Sequence, residues 1–365
     1  MRAKKFVQYW LGLLVGFFLL NLVLWQGWTS QVFFESEDGH GDLRRIGSFA
    51  AAQAKTKPVE YAQKHVEFKD YAAAGVKEEF DVLTIGDSFS NGGGGNYYQD
   101  DLADRYGLRV LNVPCNAFGD GNALSILYAL QQTGYLEELH PKAVIIESVE
   151  HYLASRFNGH LPERPVLSRE EFLHKELPAH TEADGIREDK IFTPIMIKAN
   201  AEFLKNKWYA CGHEGALSET ADYAELSRDC FTAPGQQRLL LYYHLETSFA
   251  EDRPAAEEIH ANMQEAADML RGYGSRLIFL PVVGKLDLYH PYLQEQQRFA
   301  ENTTFAELMA EPQDYVQLDT KKILRKALAD GVPDLYWNDD THWSWRAQQL
   351  IVDALVSEGG LQGEK

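Results

Sequence analysis

The N-terminal segment limits what this chain can fold into more than any other feature. After a basic start, MRAKK, the sequence runs from Phe6 to Trp28 without a charged residue and is almost wholly apolar. About 20 apolar residues cross the hydrocarbon core of a bilayer as a helix, and aromatic side chains near both ends are typical of membrane interfaces. We therefore predict a transmembrane anchor over residues 6–28. A cleaved signal peptide is the less favoured interpretation, because the run is long and no small-residue cleavage site follows it.

The charges around this segment predict its orientation. Basic residues favour the cytoplasmic side of a membrane, so residues 1–5 would form a short cytoplasmic tail. The body would then lie outside the inner (cell) membrane, in the periplasm. Over all 365 residues the formal net charge is −19, which argues against nucleic acid as the main partner. An extracytoplasmic location permits a disulfide, and either Cys211 pairs with Cys230 or all three cysteines are free.

Beyond a polar, membrane-proximal linker at residues 29–75, short apolar runs alternate with helical patterns. Such runs are typical of strands that are covered on both faces, and their alternation with helices is typical of an α/β fold. We predict a doubly wound, mostly parallel sheet flanked by helices over residues 76–360. A proline- and charge-rich insertion at about 152–240 interrupts it. The predicted strands are at 80–86, 108–114, 142–149 and 275–283.

The first predicted strand ends in Gly86-Asp87-Ser88. Ligands of open α/β sheets bind at the carboxyl ends of the strands, so the Ser88 hydroxyl is expected at that edge. A serine becomes a nucleophile only when a base removes its proton. Near the far end of the chain, His342 offers such a base and Asp340 a carboxylate to orient it, with Asp339 as an alternative acid.

Each of these motifs alone is equally explained by an ordinary turn or an ordinary histidine. Together, at opposite ends of one domain, they predict a Ser88–His342–Asp340 triad. Four glycines, Gly92 to Gly95, follow the serine. They lack the Lys-Ser/Thr pair of a phosphate-binding loop, and we predict a mobile loop beside the site.

The segments IGDSFS and NDDTHW, which carry this triad, resemble the SGNH (GDSL-like) hydrolase superfamily. More narrowly, they are similar to the alginate O-acetyltransferase-like branch with its GDSF and DxHW signatures, although the two motifs come in the opposite order in the alginate proteins. The resemblance covers about residues 76–358 outside the insertion. It implies a flavodoxin-like fold, with Ser88 as nucleophile and first oxyanion donor, His342 as base and Asp340 as its orienting acid. Gly119 matches a second oxyanion donor.

Other positions depart from the family pattern or match it less specifically. Glu150 and His151 stand where the superfamily has Asn-Asp, which leaves the third oxyanion donor open. Lys285 and Tyr289 resemble a later block of the same branch. We consider four residues as substrate contacts, against the alternatives of a polar loop or of simple packing: Glu150, Lys285, Tyr289 and Trp343.

The resemblance implies a membrane-anchored O-acetyltransferase that modifies an exported polysaccharide through an acetyl-serine intermediate. It implies no cofactor, and no residue spacing indicates a metal site. Since acetyl-CoA is absent from the periplasm, a multi-pass membrane acyltransferase would deliver the acetyl group. Two alternatives remain: a carbohydrate or lipid esterase with the same triad, and a catalytically inactive scaffold that binds a glycan or an assembly partner.

Overall fold

The computed structural model describes residues 2–30, 43, 60–75, 77–115, 122–157, 167–176, 194–232, 237–242, 256–299 and 302–361. The chain begins with helix α1, Arg2–Leu24, which continues into a π-helical turn, Trp25–Thr29. Within the described ranges, Ala3–Thr29 is the one helix whose length and composition would let it cross a membrane. The predicted N-terminal apolar helix is therefore present.

A six-stranded, all-parallel sheet forms the centre of the body, which confirms the predicted α/β class. Its strands are β1 (Val66–Glu67), β2 (Val82–Gly86), β3 (Val110–Pro114), β4 (Ala143–Val149), β7 (Arg276–Val282) and β8 (Val316–Gln317). Across the sheet they lie in the order β1-β3-β2-β4-β7-β8.

All four predicted apolar runs are strands of this sheet, and they are its four central members. The body also includes residues that we had placed in the linker, because β1 pairs with β3 and is followed by helix α2, Phe68–Ala74. Phe68 and Tyr71 on that helix are buried. The folded body thus begins before residue 76.

Helices cover both faces of the sheet. Side chains alternate along β4, so that Ala143 and Ile145 join one buried cluster while Val144 and Ile146 join the other. The helices that flank the sheet are α3 (Tyr98–Tyr106), α4 (Ala123–Gln132), α5 (Tyr135–Leu139), α9 (Ala256–Arg271), α10 (Lys285–Tyr289), α11 (Thr304–Leu308), α12 (Thr320–Ala329) and α13 (Trp345–Ser357).

The predicted insertion has secondary structure of its own. Its described parts contain helices α6 (Leu153–Phe157), α7 (Arg169–Glu176) and α8 (Pro194–Gly212), and an antiparallel hairpin of β5 (Ala221–Glu225) and β6 (Arg238–Tyr242). Cys230 is buried and Cys211 is exposed, and the two do not form the disulfide that was one of the two predicted alternatives.

Candidate active site

Ser88 lies one turn beyond β2, at the point where the sheet reverses its winding. β2 pairs with β3 on one side and with β4 on the other, and such a switch point opens a crevice at the carboxyl ends of the strands. The turn requires Gly86, since a Cβ there would lie 2.3 Å from both Glu147 Oε2 and Ser90 Oγ. Asp87 Oδ1 accepts the Phe89 N–H at 3.0 Å, which leaves the intervening Ser88 exposed.

The structure brings together the three residues of the predicted triad. Ser88 Oγ lies 2.7 Å from His342 Nε2, and His342 Nδ1 lies 2.7 Å from Asp340 Oδ1. The same carboxylate oxygen accepts the His342 backbone N–H at 3.0 Å, so the acid fixes both the ring and its backbone. Phe89 packs against the imidazole, with ring centroids 4.9 Å apart. The two motifs therefore meet at the carboxyl edge of the sheet.

Polar contacts hold the loop that carries His342. Lys285 Nζ donates to the Asn338 and Asp340 carbonyl oxygens at 2.9 and 2.8 Å. Where the loop ends, Ser344 Oγ accepts the Arg346 N–H at 3.1 Å and caps α13. The loop that carries His342 is therefore held by hydrogen bonds on both sides of the histidine.

Gly92 to Gly95, for which the sequence predicts a mobile loop, pack against the loop that carries His342. The Gly93 N–H donates to the Ser88 carbonyl at 2.7 Å, and the Gly94 carbonyl accepts Trp337 Nε1 at 2.9 Å. A Cβ on Gly93 would lie 2.2 Å from His342 Cδ2, and one on Gly94 would lie 2.3 Å from the Trp343 carbonyl oxygen. The small residues let the His342 loop approach the nucleophile turn.

A buried ion pair lies behind the nucleophile and was not predicted. Asp87 Oδ2 accepts the Val149 N–H at 3.0 Å and forms a short contact with Arg156, which also donates to Ser148 at 2.7 Å. Burial opposes ionisation of Asp87, but the Arg156 charge and these hydrogen bonds outweigh it and lower the pKa of the carboxyl. The pair ties the β2 turn to the end of β4.

Glu147 on β4 is the second unpredicted acid. Its Oε2 accepts the Asp87 N–H at 2.9 Å and the Ser90 hydroxyl at 2.8 Å. Burial, reinforced by the nearby Asp87 charge, raises the pKa of Glu147 well above its usual range. The raised pKa favours the protonated form of Glu147, and its Oε2 is a fixed acceptor for the turn.

His151 follows β4 directly and belongs to the same edge. Its ring is partly exposed, yet Nδ1 is buried and has no hydrogen-bond partner in the described part of the chain. Burial lowers the pKa of His151 to about 4, and the charges of Asp87, Arg156 and His342 act on the ring. His151 is therefore neutral at pH 7 and lies within electrostatic reach of the triad.

The four predicted substrate contacts are buried, so the structure does not support that role. Glu150 accepts the Gly284 N–H at 2.7 Å and the Asn302 amide at 2.9 Å. Lys285 is used by the His342 loop, and Tyr289 accepts the Tyr336 N–H at 3.3 Å. Trp343 is fully buried and packs edge-on against Phe89. The polar groups of Glu150, Lys285 and Tyr289 satisfy internal partners. Gly119 lies outside the described residues.

The sequence and the structure were compared with known proteins, and no relative was found. No protein-family model matches this sequence, and no curated protein or solved structure is significantly similar to it. What the fold and site define is a class: an α/β protein with a serine, a histidine and an aspartate in mutual contact at the carboxyl edge of a parallel sheet.

Proposed function

We propose that this protein is a membrane-anchored, extracytoplasmic O-acetyltransferase of an exported polysaccharide, with the SGNH-type triad Ser88–His342–Asp340. The observation that carries the proposal is the continuous contact from an exposed serine through His342 to a buried carboxylate. Serine, histidine and acid in this arrangement support acyl transfer on several unrelated folds. The apolar N-terminal helix supports the location.

The reaction would take place in two halves. Ser88 Oγ attacks the acetyl carbonyl carbon of the donor while His342 Nε2 takes the hydroxyl proton. The tetrahedral intermediate then collapses, the donor oxygen leaves with that proton, and acetyl-Ser88 remains. In the second half, a sugar hydroxyl gives its proton to His342 and attacks the acetyl carbon, and Ser88 leaves as it regains the proton. Asp340 stabilises the imidazolium in both halves.

Three donors are proposed for the oxyanion. The Ser88 and Gly119 N–H groups follow from the family resemblance. We assign the third place to His151, because a neutral imidazole carries a single N–H. The tautomer with its proton on Nε2 would present that N–H to the oxyanion. An N–H at this edge stabilises developing negative charge.

The test uses the full-length protein in detergent with a chromogenic acetyl ester, with and without a polysaccharide acceptor. Ser88→Ala should abolish both hydrolysis and the acetyl-serine adduct seen by mass spectrometry. Ser357→Ala is the control, because this serine is exposed and its hydroxyl donates to carbonyls within α13. Acetyl groups on the polysaccharide identify a transferase, and release of acetate alone identifies an esterase.

The absence of both turnover and adduct in the wild-type protein would overturn the proposal in favour of the catalytically inactive scaffold.

The scheme also requires a partner that supplies the acetyl group. We propose that a multi-pass membrane acyltransferase supplies it, because both proteins would then meet at the same bilayer.

A further inference from the structure

Helix α8 lies against the end of α1 that leads into the body. Asn200 donates its amide to the Asn21 carbonyl and side-chain oxygens at 2.8 and 3.0 Å, and its own oxygen accepts the Thr29 hydroxyl at 2.5 Å. Trp28 stacks on Phe203, with centroids 6.3 Å apart and planes 17° apart. The two helices are joined by both polar and aromatic contacts.

These contacts define the level of α8 relative to the apolar segment. Asn21 lies seven residues before Trp28, or about 10 Å along a helix that rises 1.5 Å per residue. A side-chain amide at that depth requires a protein partner, because hydrocarbon offers none. Asn21 is only 6% exposed, since Asn200 covers it. The contact places α8 level with the last turns of the membrane segment.

A second face of α8, turned away from its contacts with α1, presents an apolar stripe to the surroundings. Ile197, Leu204 and Trp208 are 39%, 46% and 84% exposed. Their spacing of i, i+7 and i+11 places them on one side of a helix. Met196 and Ala199, which fall on another side, are buried against Trp25. The helix thus packs on the body and the anchor with one face and leaves a second apolar face uncovered.

Lysines border the stripe. On a helical projection Lys198 and Lys205 lie along one side of it and Lys207 along the other. The helix carries these three basic residues against a single acidic one, Glu202, in a chain of net charge −19. An apolar stripe flanked by lysines and containing an aromatic residue is the pattern of helices that lie in a membrane interface.

We infer that α8 lies in the headgroup region of the membrane that α1 crosses, with Ile197, Leu204 and Trp208 in the lipid and with Lys198 and Lys207 toward the phosphates. Lys205 instead pairs with Glu219 at 2.5 Å. The inference depends on the membrane insertion of α1, which belongs to the proposed function, but not on the acetyltransferase activity. Interfacial helices bury their apolar face about 5–10 Å into the headgroup and acyl boundary, which agrees with the level of Asn21. The body would therefore be held at a fixed height above the bilayer by two contacts.

The experiment reconstitutes the full-length protein in vesicles of phosphatidylcholine and phosphatidylglycerol in equal parts. Nitroxide labels are placed by Leu204→Cys on the stripe and by Glu202→Cys off it, each in a Cys211→Ser background. Val15→Cys in the same background reports whether α1 itself is inserted. Collisions with oxygen, which partitions into lipid, are compared with collisions with a water-soluble nickel complex. An unchanged thermal unfolding midpoint shows that each variant is folded.

We expect the label at 204 to favour oxygen several-fold over the nickel complex, as the label at 15 does, and the label at 202 to favour the nickel complex. Equal access of the nickel complex at 204 and 202, with residue 15 in lipid, would overturn the inference and leave the anchor intact. Dipolar broadening between labels at 204 without oxygen access would assign the stripe to a second copy of the chain. Water access at all three positions would overturn the inference and the anchor together.

Discussion

Gly93 and His342 show how closely the candidate site is fitted at the scale of single residues. The Gly93 N–H donates to the Ser88 carbonyl, while the space that its side chain would fill is occupied by the His342 ring. Gly93 thus holds the turn that carries Ser88 and limits how closely His342 can approach that turn. Two residues later, a Cβ added to Gly95 would meet no atom within 4 Å.

Gly93→Ala should therefore lower kcat for ester hydrolysis by about 10²-fold, because displacement of a catalytic group by about 1 Å costs that much. Gly95→Ala is the control: its Cβ would meet no atom within 4 Å, although its φ of +92° adds backbone strain. Steady-state kinetics of both variants test this. Equal loss of kcat in the two would mean that strain in the run, and not the clash with His342, is responsible.

The assignment of Asp340 over Asp339 can be decided by two conservative changes. Asp340 Oδ1 lies 2.7 Å from Nδ1 of the His342 ring, whereas the Asp339 carbonyl accepts the Leu43 N–H. Asp340→Asn should reduce kcat by about 10⁴-fold, since an amide stabilises the wrong tautomer of the histidine. Asp339→Asn should reduce it far less. A reversal of this order, measured with the same ester, would make Asp339 the orienting acid.

Glu147 should make stability depend on pH. Its pKa is raised in the folded protein, so above pH about 4.3 the unfolded chain releases a proton that the folded chain keeps. The free energy of unfolding therefore falls as pH rises, by about 1.4 kcal/mol per pH unit, until the pH passes the folded pKa. Glu147→Gln removes this dependence and should gain stability relative to the wild type as pH rises. Parallel curves of unfolding midpoint against pH would contradict a neutral Glu147.

Among the elements, the loop between α12 and α13, which carries His342, depends on a neighbouring short helix. Lys285 at the start of α10 donates to two carbonyls of that loop and is 1% exposed. From the sequence, this lysine is a candidate substrate contact. In the structure it joins α10 to the loop on which His342 lies.

Lys285→Met should leave two buried carbonyls without that donor and cost about 1–3 kcal/mol of unfolding free energy for each. The same change should lower kcat more than it alters KM, because it loosens the base and not a substrate contact. Lys322→Met, at an exposed position on α12, is the control. A rise in KM with an unchanged kcat would restore Lys285 to the substrate site.

These elements also show what the sequence could predict. β2, β3, β4 and β7 are covered on both faces, so each appears as a continuous apolar run. β1 and β8 have two residues each and leave no pattern. Ser88 and His342 were found because each lies in a short, local motif. Arg156 and Glu147 were missed, because their partners come from other strands and helices and only the tertiary fold pairs them.

The burial of the predicted substrate contacts has a related physical cause. Glu150, Lys285 and Tyr289 are polar residues near the carboxyl ends of strands, where ligands bind. The fold uses them to satisfy buried backbone groups instead. A sequence pattern does not separate a polar group that faces a cleft from one that faces a buried carbonyl.

At the scale of the whole molecule, the anchor and the body share an interface. α8 packs on Trp25 through Met196 and Ala199, and its other face is apolar and exposed. The body is therefore not independent of the N-terminal segment, even though its sheet and triad lie outside it.

Removal of residues 1–30 should expose this interface, and the truncated body should self-associate in the absence of detergent. Light scattering after gel filtration should show oligomers that dissolve when detergent is added. Trp208→Glu in the truncated body should reduce the association by interrupting the exposed stripe. A monodisperse monomer without detergent would contradict a shared interface.

The contact between Ser88 and His342 joins residues that are 254 positions apart in the chain. A ribosome adds about 5–20 residues each second, so the nucleophile turn exists for about 13–50 seconds before its base has been synthesised. During that interval the growing chain holds an ordinary, unactivated serine. The proposed acyl chemistry would begin only when the segment with His342 has been made and has folded against the turn after β2. A chain that ends before His342 would lack the proposed triad.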